Sequence, residues 1–279
     1  MCLYVSSLNS GSNGNCYYIG TGQEAVLIDA GISCREIEKR LKKLNLAISK
    51  IKAVFISHEH TDHIKGVETL SSKYQVPVYI TSGTFKNCSL EIERHLHLPF
   101  APGTAITIGG LSILPFRKYH DAADPNSFVI SYKSIRVGVF TDIGHVCESL
   151  ITHFSGCTAA FLETNYDEKM LDGGNYPYHL KQRIKSKLGH LSNLQALELF
   201  TTHRPAFMSH IFLSHLSENN NHPRLVEDLF TPHAGSVKII IAPRNKETSV
   251  YEIYQNGEAS KKNHLSYRAS NQLSFFPEY

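Results

Sequence analysis

An apolar run, Ile51-Lys52-Ala53-Val54-Phe55-Ile56, leads through Ser57 into His58-Glu59-His60-Thr61-Asp62-His63. The run predicts a buried strand, and α/β proteins place their chemistry just past the carboxyl ends of such strands. His58 and His60 alternate with Glu59, so in extended backbone both imidazoles point to the same side. Asp62 and His63 follow on a turn and face a second point in space. The physical reading is two adjacent metal positions, one begun by His58 and His60, the other by Asp62 and His63. The competing reading is a polar loop in a chain with 16 histidines among 279 residues. The preceding strand and the alternating spacing favour the metal reading.

Composition sets the frame for that motif. Hydrophobic residues make up 42% and charged residues 19% of the chain, against a typical charged share of ~25%, so a substantial core is expected. The net charge of +3 tolerates a polyanionic partner without demanding one. Six cysteines (Cys2, Cys16, Cys34, Cys88, Cys147, Cys157) show no CxxC pair and no disulfide framework. Met1-Cys2-Leu3-Tyr4-Val5 reads as a short strand, not a secretory leader. No stretch reaches the ~18 apolar residues of a membrane span. A cytoplasmic location and no membrane partner are expected.

Short strands separated by Gly, Asn and Ser turns dominate the first half: Leu3–Leu8, Cys16–Ile19, Ala25–Ile28 and Ala53–Ile56. Ser33 suits an N-cap for a helix reaching Leu44, with Ile37, Leu41 and Leu44 on one face. Gly66–Lys73 also suits a helix. Val76–Ile80 reads as a strand, Pro77 favouring an edge position, and Phe85–Leu98 as a helix. Strands are expected at Ala105–Ile108, Leu111–Phe116, Ser127–Tyr132, Ile135–Phe140, Ala159–Leu162, Ile211–Leu213, Val237–Ile241 and Val250–Tyr254. Helices are expected at Leu180–Leu188, Asn193–Thr201 and Arg224–Phe230. Strands, then strands mixed with helices, occur twice over. That pattern suits an α+β sandwich of two sheets covered by helices, one domain over 1–260 with two similar halves and a polar tail over 261–279.

Two metals need more ligands than one motif supplies, and neighbouring strand ends converge on one edge. Three polar residues close other strands: His120 after Leu111–Phe116, Asp142 after Val137–Phe140, and His215 after Ile211–Leu213. An aspartate between two ions can bridge them at the ~3.5–4 Å separation of hydrolytic two-metal sites. Asp142 is the choice for that role. Glu163 and Asn165 end the strand Ala159–Leu162, where support of a ligand histidine is expected rather than ligation.

With these residues in place, the chain resembles the metallo-β-lactamase-fold hydrolases. Their signature, His-x-His-x-Asp-His after a strand, is matched in full by His58, His60, Asp62 and His63. The resemblance implies that His120, Asp142 and His215 complete the ligand set and that Asp29, at an earlier strand end, supports it. It implies a four-layer αββα sandwich from the first strand to about Ile241. A finer resemblance is to the YycJ/WalJ group, cytoplasmic bacterial phosphodiesterases or DNA exonucleases. It is carried by Ser10-Gly11-Ser12-Asn13-Gly14-Asn15-Cys16, Thr141-Asp142-Ile143-Gly144, Glu163-Thr164-Asn165-Tyr166-Asp167, Arg183-Ile184, Gly189-His190-Leu191-Ser192-Asn193 and Ser214-His215-Leu216-Ser217-Glu218-Asn219-Asn220. The added clamp domain of the RNA-processing β-CASP members is not evident.

What the resemblance implies chemically is a dinuclear metal-dependent phosphodiesterase, a DNA exonuclease whose nucleophile is a hydroxide bridging the two ions. Zinc is the expected metal, with manganese or iron as alternatives. Asp62 and His190 are the expected catalytic residues. His190 has an ordinary loop reading by spacing alone; the resemblance implies contact with a substrate phosphate or the leaving group. Ser192 and Asn193 suit helix caps and, compatibly, an anion site. Lys181, Arg183, Lys185 and Lys187 read chiefly as a solvated face, with Arg183 the expected phosphate contact. His145 is expected to line the cleft; His203, His210 and His233 are read as structural or surface groups, and Cys16 and Cys157 as packing thiols. Two alternatives stay open: hydrolysis of a small ester, thioester or cyclic phosphodiester on the same scaffold, and a metal-binding module without turnover.

Overall fold

The structure, a computed structural model, describes residues 1–255. The expected boundary at 260 and the tail over 261–279 lie outside the described residues. The first sheet begins with β1 (Cys2–Asn9), β2 (Cys16–Gly20), β3 (Ala25–Ile28), β4 (Ile51–Phe55), β5 (Val78–Ile80) and β6 (His97–Pro99). The second contains β7 (Ile106–Ile108), β8 (Leu111–Arg117), β9 (Asn126–Tyr132), β10 (Ile135–Phe140), β11 (Ala159–Glu163), β12 (His210–Ser214) and β13 (Lys238–Ile241). The last strand, β14 (Tyr251–Tyr254), returns to the first sheet beside β1. The strand orders are β14-β1-β2-β3-β4-β5-β6 and β13-β12-β11-β10-β9-β8-β7.

Each sheet changes from antiparallel to parallel pairing part-way, from β3 onward in the first and from β10 onward in the second. The two halves therefore repeat one plan. Parallel strands deliver their carboxyl ends to a common edge, and those ends carry Asp29, Ser57, Asp142, Glu163 and His215.

Helices α1 (Cys34–Lys43), α2 (Thr61–Ile64), α3 (Val67–Tyr74) and α4 (Ser82–Lys86) lie in the first half. Helices α5 (Glu148–Phe154), α6 (Glu168–Gly173), α7 (Tyr178–Lys185), α8 (Asn193–His203) and α9 (Pro223–Phe230) lie in the second. Phe55, Phe128, Val137, Phe161 and Phe212 fill the space between the sheets. Ile37, Leu41, Val67 and Leu70 cover the outer face of the first sheet, and Leu150, Phe154, Phe200 and Phe230 that of the second. This is the expected four-layer αββα sandwich. Along β11, Phe161 enters the inter-sheet core while Ala160 and Leu162 enter the outer one. A strand buried on both faces reads as an unbroken apolar run.

Local signals were good guides at most elements. Ser33 caps α1, its Oγ accepting from Glu36 N at 3.3 Å, and Ile37 and Leu41 are buried. Two expectations need correction. The helix expected over Phe85–Leu98 is confined to Ser82–Lys86; the rest is irregular, with Leu90 and Ile92 packed on the outer core of the first sheet, before His97–Pro99 pairs with β5. Nor is β5 an edge strand, because β6 flanks it. Pro77 lies just outside β5, where only its carbonyl is used, accepting from Val54 N at 2.9 Å.

Candidate metal centre and its cleft

The loop after β4 is held by a buried carboxylate. Asp29 Oδ1 accepts from Ser57 N at 2.7 Å, and Oδ2 accepts from Ser57 Oγ at 2.8 Å and His63 Nδ1 at 2.7 Å. His58 Nδ1 lies 2.8 Å from Ser57 Oγ. On the other sheet, Glu163 Oε1 lies 2.9 Å from His215 Nδ1 and 2.8 Å from His190 Nδ1, while its Oε2 accepts from Ile143 N and Leu191 N. His120 Nδ1 reaches the Gly189 carbonyl at 3.0 Å. In each case an anchor takes Nδ1 and assigns Nε2 to the cluster, the usual way an imidazole is oriented toward a metal. His60 is the exception, with Nδ1 3.1 Å from His58 Nε2.

The freed atoms converge. Ligand atoms of His58, His60 and His120 lie within 4.8 Å of one another, as do those of Asp62, His63 and His215. Asp142 joins the two sets: its Oδ2 is 3.2 Å from His63 Nε2, and its Oδ1 is 3.4 Å from His215 Nε2 and 3.9 Å from His120 Nε2. His120 Nε2, His215 Nε2 and Asp142 Oδ2 are buried without a hydrogen-bond partner among the described residues. An unsatisfied buried polar atom costs about 1–3 kcal/mol. Three such atoms in one cluster, all of ligand type, fit divalent ions.

Electrostatics divides the histidines. Burial pushes His58 well below the ordinary imidazole value and His120 down to about 4. Burial also opposes charge on His63 and His215, but nearby carboxylates outweigh it. Asp142, Asp29 and Asp62 hold His63 well above the ordinary value, and Asp142 with Asp62 and Glu163 brings His215 to about 10. Burial would raise the Asp142 carboxyl; His215, His63 and Lys118 instead keep it well below the usual range. Glu163, also opposed by burial, is held at about 2 chiefly by His190.

The backbone pays attention to the same edge. Asp29, Asp142 and His215 have φ of 60°, 54° and 58°, a left-handed conformation that costs a non-glycine residue about 1–3 kcal/mol and gathers at functional sites. Asp29 and His215 directly follow parallel-paired strands, and Asp142 follows one after Thr141. Gly31 allows the Asp29 loop to reach the motif, since a Cβ there would sit 1.7 Å from the Asp62 carbonyl oxygen.

This two-sheet fold is shared with known proteins. The model of the metallo-beta-lactamase superfamily matches residues 10–203. The chain belongs to the metallo-β-lactamase superfamily. Exodeoxyribonuclease YycJ of Bacillus anthracis is 34% identical over 224 residues, covering 79% of this chain and 85% of that protein. Exodeoxyribonuclease WalJ of Streptococcus pneumoniae is 34% identical over 224 residues, covering 77% and 82%. The metallo-beta-lactamase fold protein YhfI from Bacillus subtilis superposes with a TM-score of 0.70 at 19% identity, over 90% of this chain and all (100%) of that one. This last likeness concerns the fold. As a member of the metallo-β-lactamase superfamily the chain is a hydrolase.

The histidine cluster opens into a cleft of about 300 Å³ lined by His60, Asp62, His120, Asp142, His190 and His215, with Ser12, Asn165, Tyr176, Leu180, Arg183, Ile184 and Ser217 around them. A larger cavity of about 560 Å³, around Arg117, Tyr119, Asp124 and Glu148, holds none of the clustered histidines, so the smaller one is the candidate site. Asn165 Nδ2 donates to the His215 carbonyl at 3.0 Å. Arg183 reaches the cleft, whereas Lys181 and Lys185 pair with Asp172, in keeping with a solvated face.

Three residues expected at the cleft do not line it, although Ser192 keeps its expected capping role. Ser192 is buried and forms a capping box with Gln195, and Asn193 is buried in a reciprocal amide pair with Asn221. Neither lines the cleft, because capping and packing engage both side chains. His145 stacks on Tyr119 at 4.3 Å and bonds the Lys187 carbonyl, outside the cleft lining.

Other residues escaped sequence reasoning. Lys118 is buried, its Nζ donating to the Thr141 carbonyl at 2.8 Å and lying 3.9 Å from Asp142 Oδ2. Nothing in Arg117-Lys118-Tyr119 separates that lysine from a surface one. Ser10 Oγ accepts from His215 N at 2.8 Å, and Asn15 Nδ2 donates to Asp62 Oδ2 at 3.2 Å. Both lie in the Ser10–Cys16 motif, which was the available signal.

Proposed function

We propose that the protein is a dinuclear metal-dependent phosphodiesterase acting on DNA as an exonuclease. His58, His60 and His120 would hold one ion, Asp62, His63 and His215 the other, with Asp142 shared. The observation that carries this reading is the position of Asp142 between two histidine sets, each with one buried inward nitrogen, His120 Nε2 or His215 Nε2, that has no hydrogen-bond partner among the described residues. Zinc suits the nitrogen-rich donors, and manganese or iron remain the alternatives. When bound, two divalent ions would activate a water at neutral pH and stabilise charge developing on a phosphoryl group.

The chain's own residues supply the rest. Asp29 and Glu163 orient His63 and His215, and Asn165 steadies the His215 backbone. Glu163 Oε1 accepts a hydrogen bond from His190 Nδ1, which leaves His190 Nε2 to hydrogen-bond a phosphate oxygen or the leaving group. Arg183 at the cleft offers a cation to the adjoining phosphate. DNA as the substrate is supported by the activities named for the YycJ and WalJ relatives. Six free cysteines suit a reducing, cytoplasmic setting.

A second reading, a small phosphodiester or ester as substrate, draws on the modest cleft of about 300 Å³. Hydrolysis of labelled duplex, single strand and a generic phosphodiester by metal-loaded protein, with Asp62→Ala as control, separates the readings. DNA shortened from its ends by the parent and not by the variant is the expected result. Cleavage of the small diester alone would sink the nuclease reading, and no cleavage of any substrate would sink the phosphodiesterase.

A further inference from the structure

Helix α7 has no buried residue, yet its apolar side chains share a face. Tyr176, just before the helix, Leu180 and Ile184 recur every four residues, and all three line the metal cleft beside Arg183. An amphipathic helix ordinarily turns such a stripe onto a core. Here the stripe forms the part of the cleft wall that carries no metal-competent side chain.

The wall is held at both ends. Asn219 Nδ2 donates to Tyr176 Oη at 3.1 Å, and the Ile184 carbonyl accepts from His190 N at 2.9 Å. That second contact needs glycine beside it, since a Cβ on Gly189 would lie 2.1 Å from the Ile184 oxygen. Arg183 is oriented by Asp121: its Nε donates to Oδ2 at 2.5 Å, and Asp121 N donates to the Leu188 carbonyl at 3.0 Å. The Arg183 side chain is 60% exposed and lines the cleft, so it is open to solvent there.

We propose that this wall is a nucleobase subsite. Tyr176, Leu180 and Ile184 contact the face of one base, Arg183 binds the phosphate beside it, and Asp121 positions Arg183. The proposal rests on the nuclease reading and names the form of nucleic acid taken. A cleft of about 300 Å³ is at the low end of ligand pockets, roughly 300–1,000 Å³, and has room for about one nucleotide. A base inside a duplex has both faces covered by its neighbours, and a cleft for one nucleotide has no room for a pairing partner, so the substrate is an unpaired terminal nucleotide. Every base has a π-face, so the subsite does not select sequence.

A single-stranded oligonucleotide with 2-aminopurine at one end or the other, joined by a charged, non-hydrolysable methylenephosphonate linkage, reports stacking without turnover. Titration with the metal-loaded protein should quench the fluorescence at one end. Tyr176→Ala and Leu180→Ser should weaken binding about five- to hundredfold, while Tyr176→Phe, which keeps the ring, should retain the quenching. Replacing the terminal base by an abasic unit should weaken parent binding to a similar degree, and Tyr176→Ala should then add nothing further. Equal affinity for abasic and intact ends, or equal losses for both in Tyr176→Ala, overturns the subsite. If DNA is still shortened in that case, the nuclease reading stands alone; if a small diester is cut and DNA is not, the nuclease reading fails and takes the subsite with it.

Discussion

Asp29 Oδ2 and His63 Nδ1 lie 2.7 Å apart with both side chains fully buried. The pair dictates which nitrogen of His63 faces the cluster, and Nε2 stands 3.2 Å from Asp142 Oδ2. Asp29→Ala removes the acceptor that orients the ring. Metal affinity should fall about 10–100-fold, read by competition with a chromophoric chelator. Parent-like affinity in the variant would remove Asp29 from the supporting shell.

His120 Nε2, His215 Nε2 and Asp142 Oδ2 lack partners among the described residues, so bound ions should stabilise the fold. Ions at 100 times their dissociation constant add about 2.7 kcal/mol, which for a chain of this size is roughly 5–10 °C in Tm. Thermal melts with and without a chelator should show that gap, and Asp142→Ala should abolish it. Identical melts for the parent protein in both conditions would count against the metal centre.

At Gly31 a methyl group would meet the Asp62 carbonyl oxygen at 1.7 Å. Gly31→Ala must therefore displace the backbone that carries Asp62. A loss of about 1–3 kcal/mol is expected from overpacking, seen as a lower denaturation midpoint, together with weaker metal binding. A variant matching the parent in both would mean that the two loops do not close on each other as described.

His210 lies away from the cluster, against Phe212 and Tyr251, and burial, aided by Lys238, lowers it to about 4. Its folded value is depressed below the ordinary imidazole value of about 6.5, so folding favours the neutral ring. That contribution is complete above about pH 6.5 and is lost as pH falls toward 4. His210→Gln should flatten the pH dependence of the denaturation midpoint across that window. An unchanged slope would show that His210 does not titrate with unfolding.

Arg183 is exposed at the cleft, so its contribution to DNA binding should be electrostatic and screened by salt. Arg183→Ala should weaken binding of single-stranded DNA and lower the slope of log affinity against log salt by about one. A loss of affinity with no change in slope would assign the arginine to structure.

Much of this protein was legible locally. The strand before His58, the alternating His58 and His60, and the polar residues closing later strands all lie in short windows where periodicity and residue type carry the information. So do the cap at Ser33 and the capping role of Ser192. Glu163 and Asn165 could be placed beside the site because both come at the end of one strand, Ala159–Glu163.

The sequence by itself determined the order of the elements, the ligand types and the kind of chemistry they permit. Only the tertiary structure decided that Glu163 holds His190 and His215 together, that Lys118 stands beside Asp142, and that Asn193 packs against Asn221 and not into the cleft. It also decided that Asp29, Asp142 and His215 take left-handed backbone and that α7 turns its apolar face to the cleft. The reason is distance along the chain: these contacts join strand ends and loops of the second half that lie far apart in sequence. They exist only after that sheet has formed and brought its parallel strand ends to one edge.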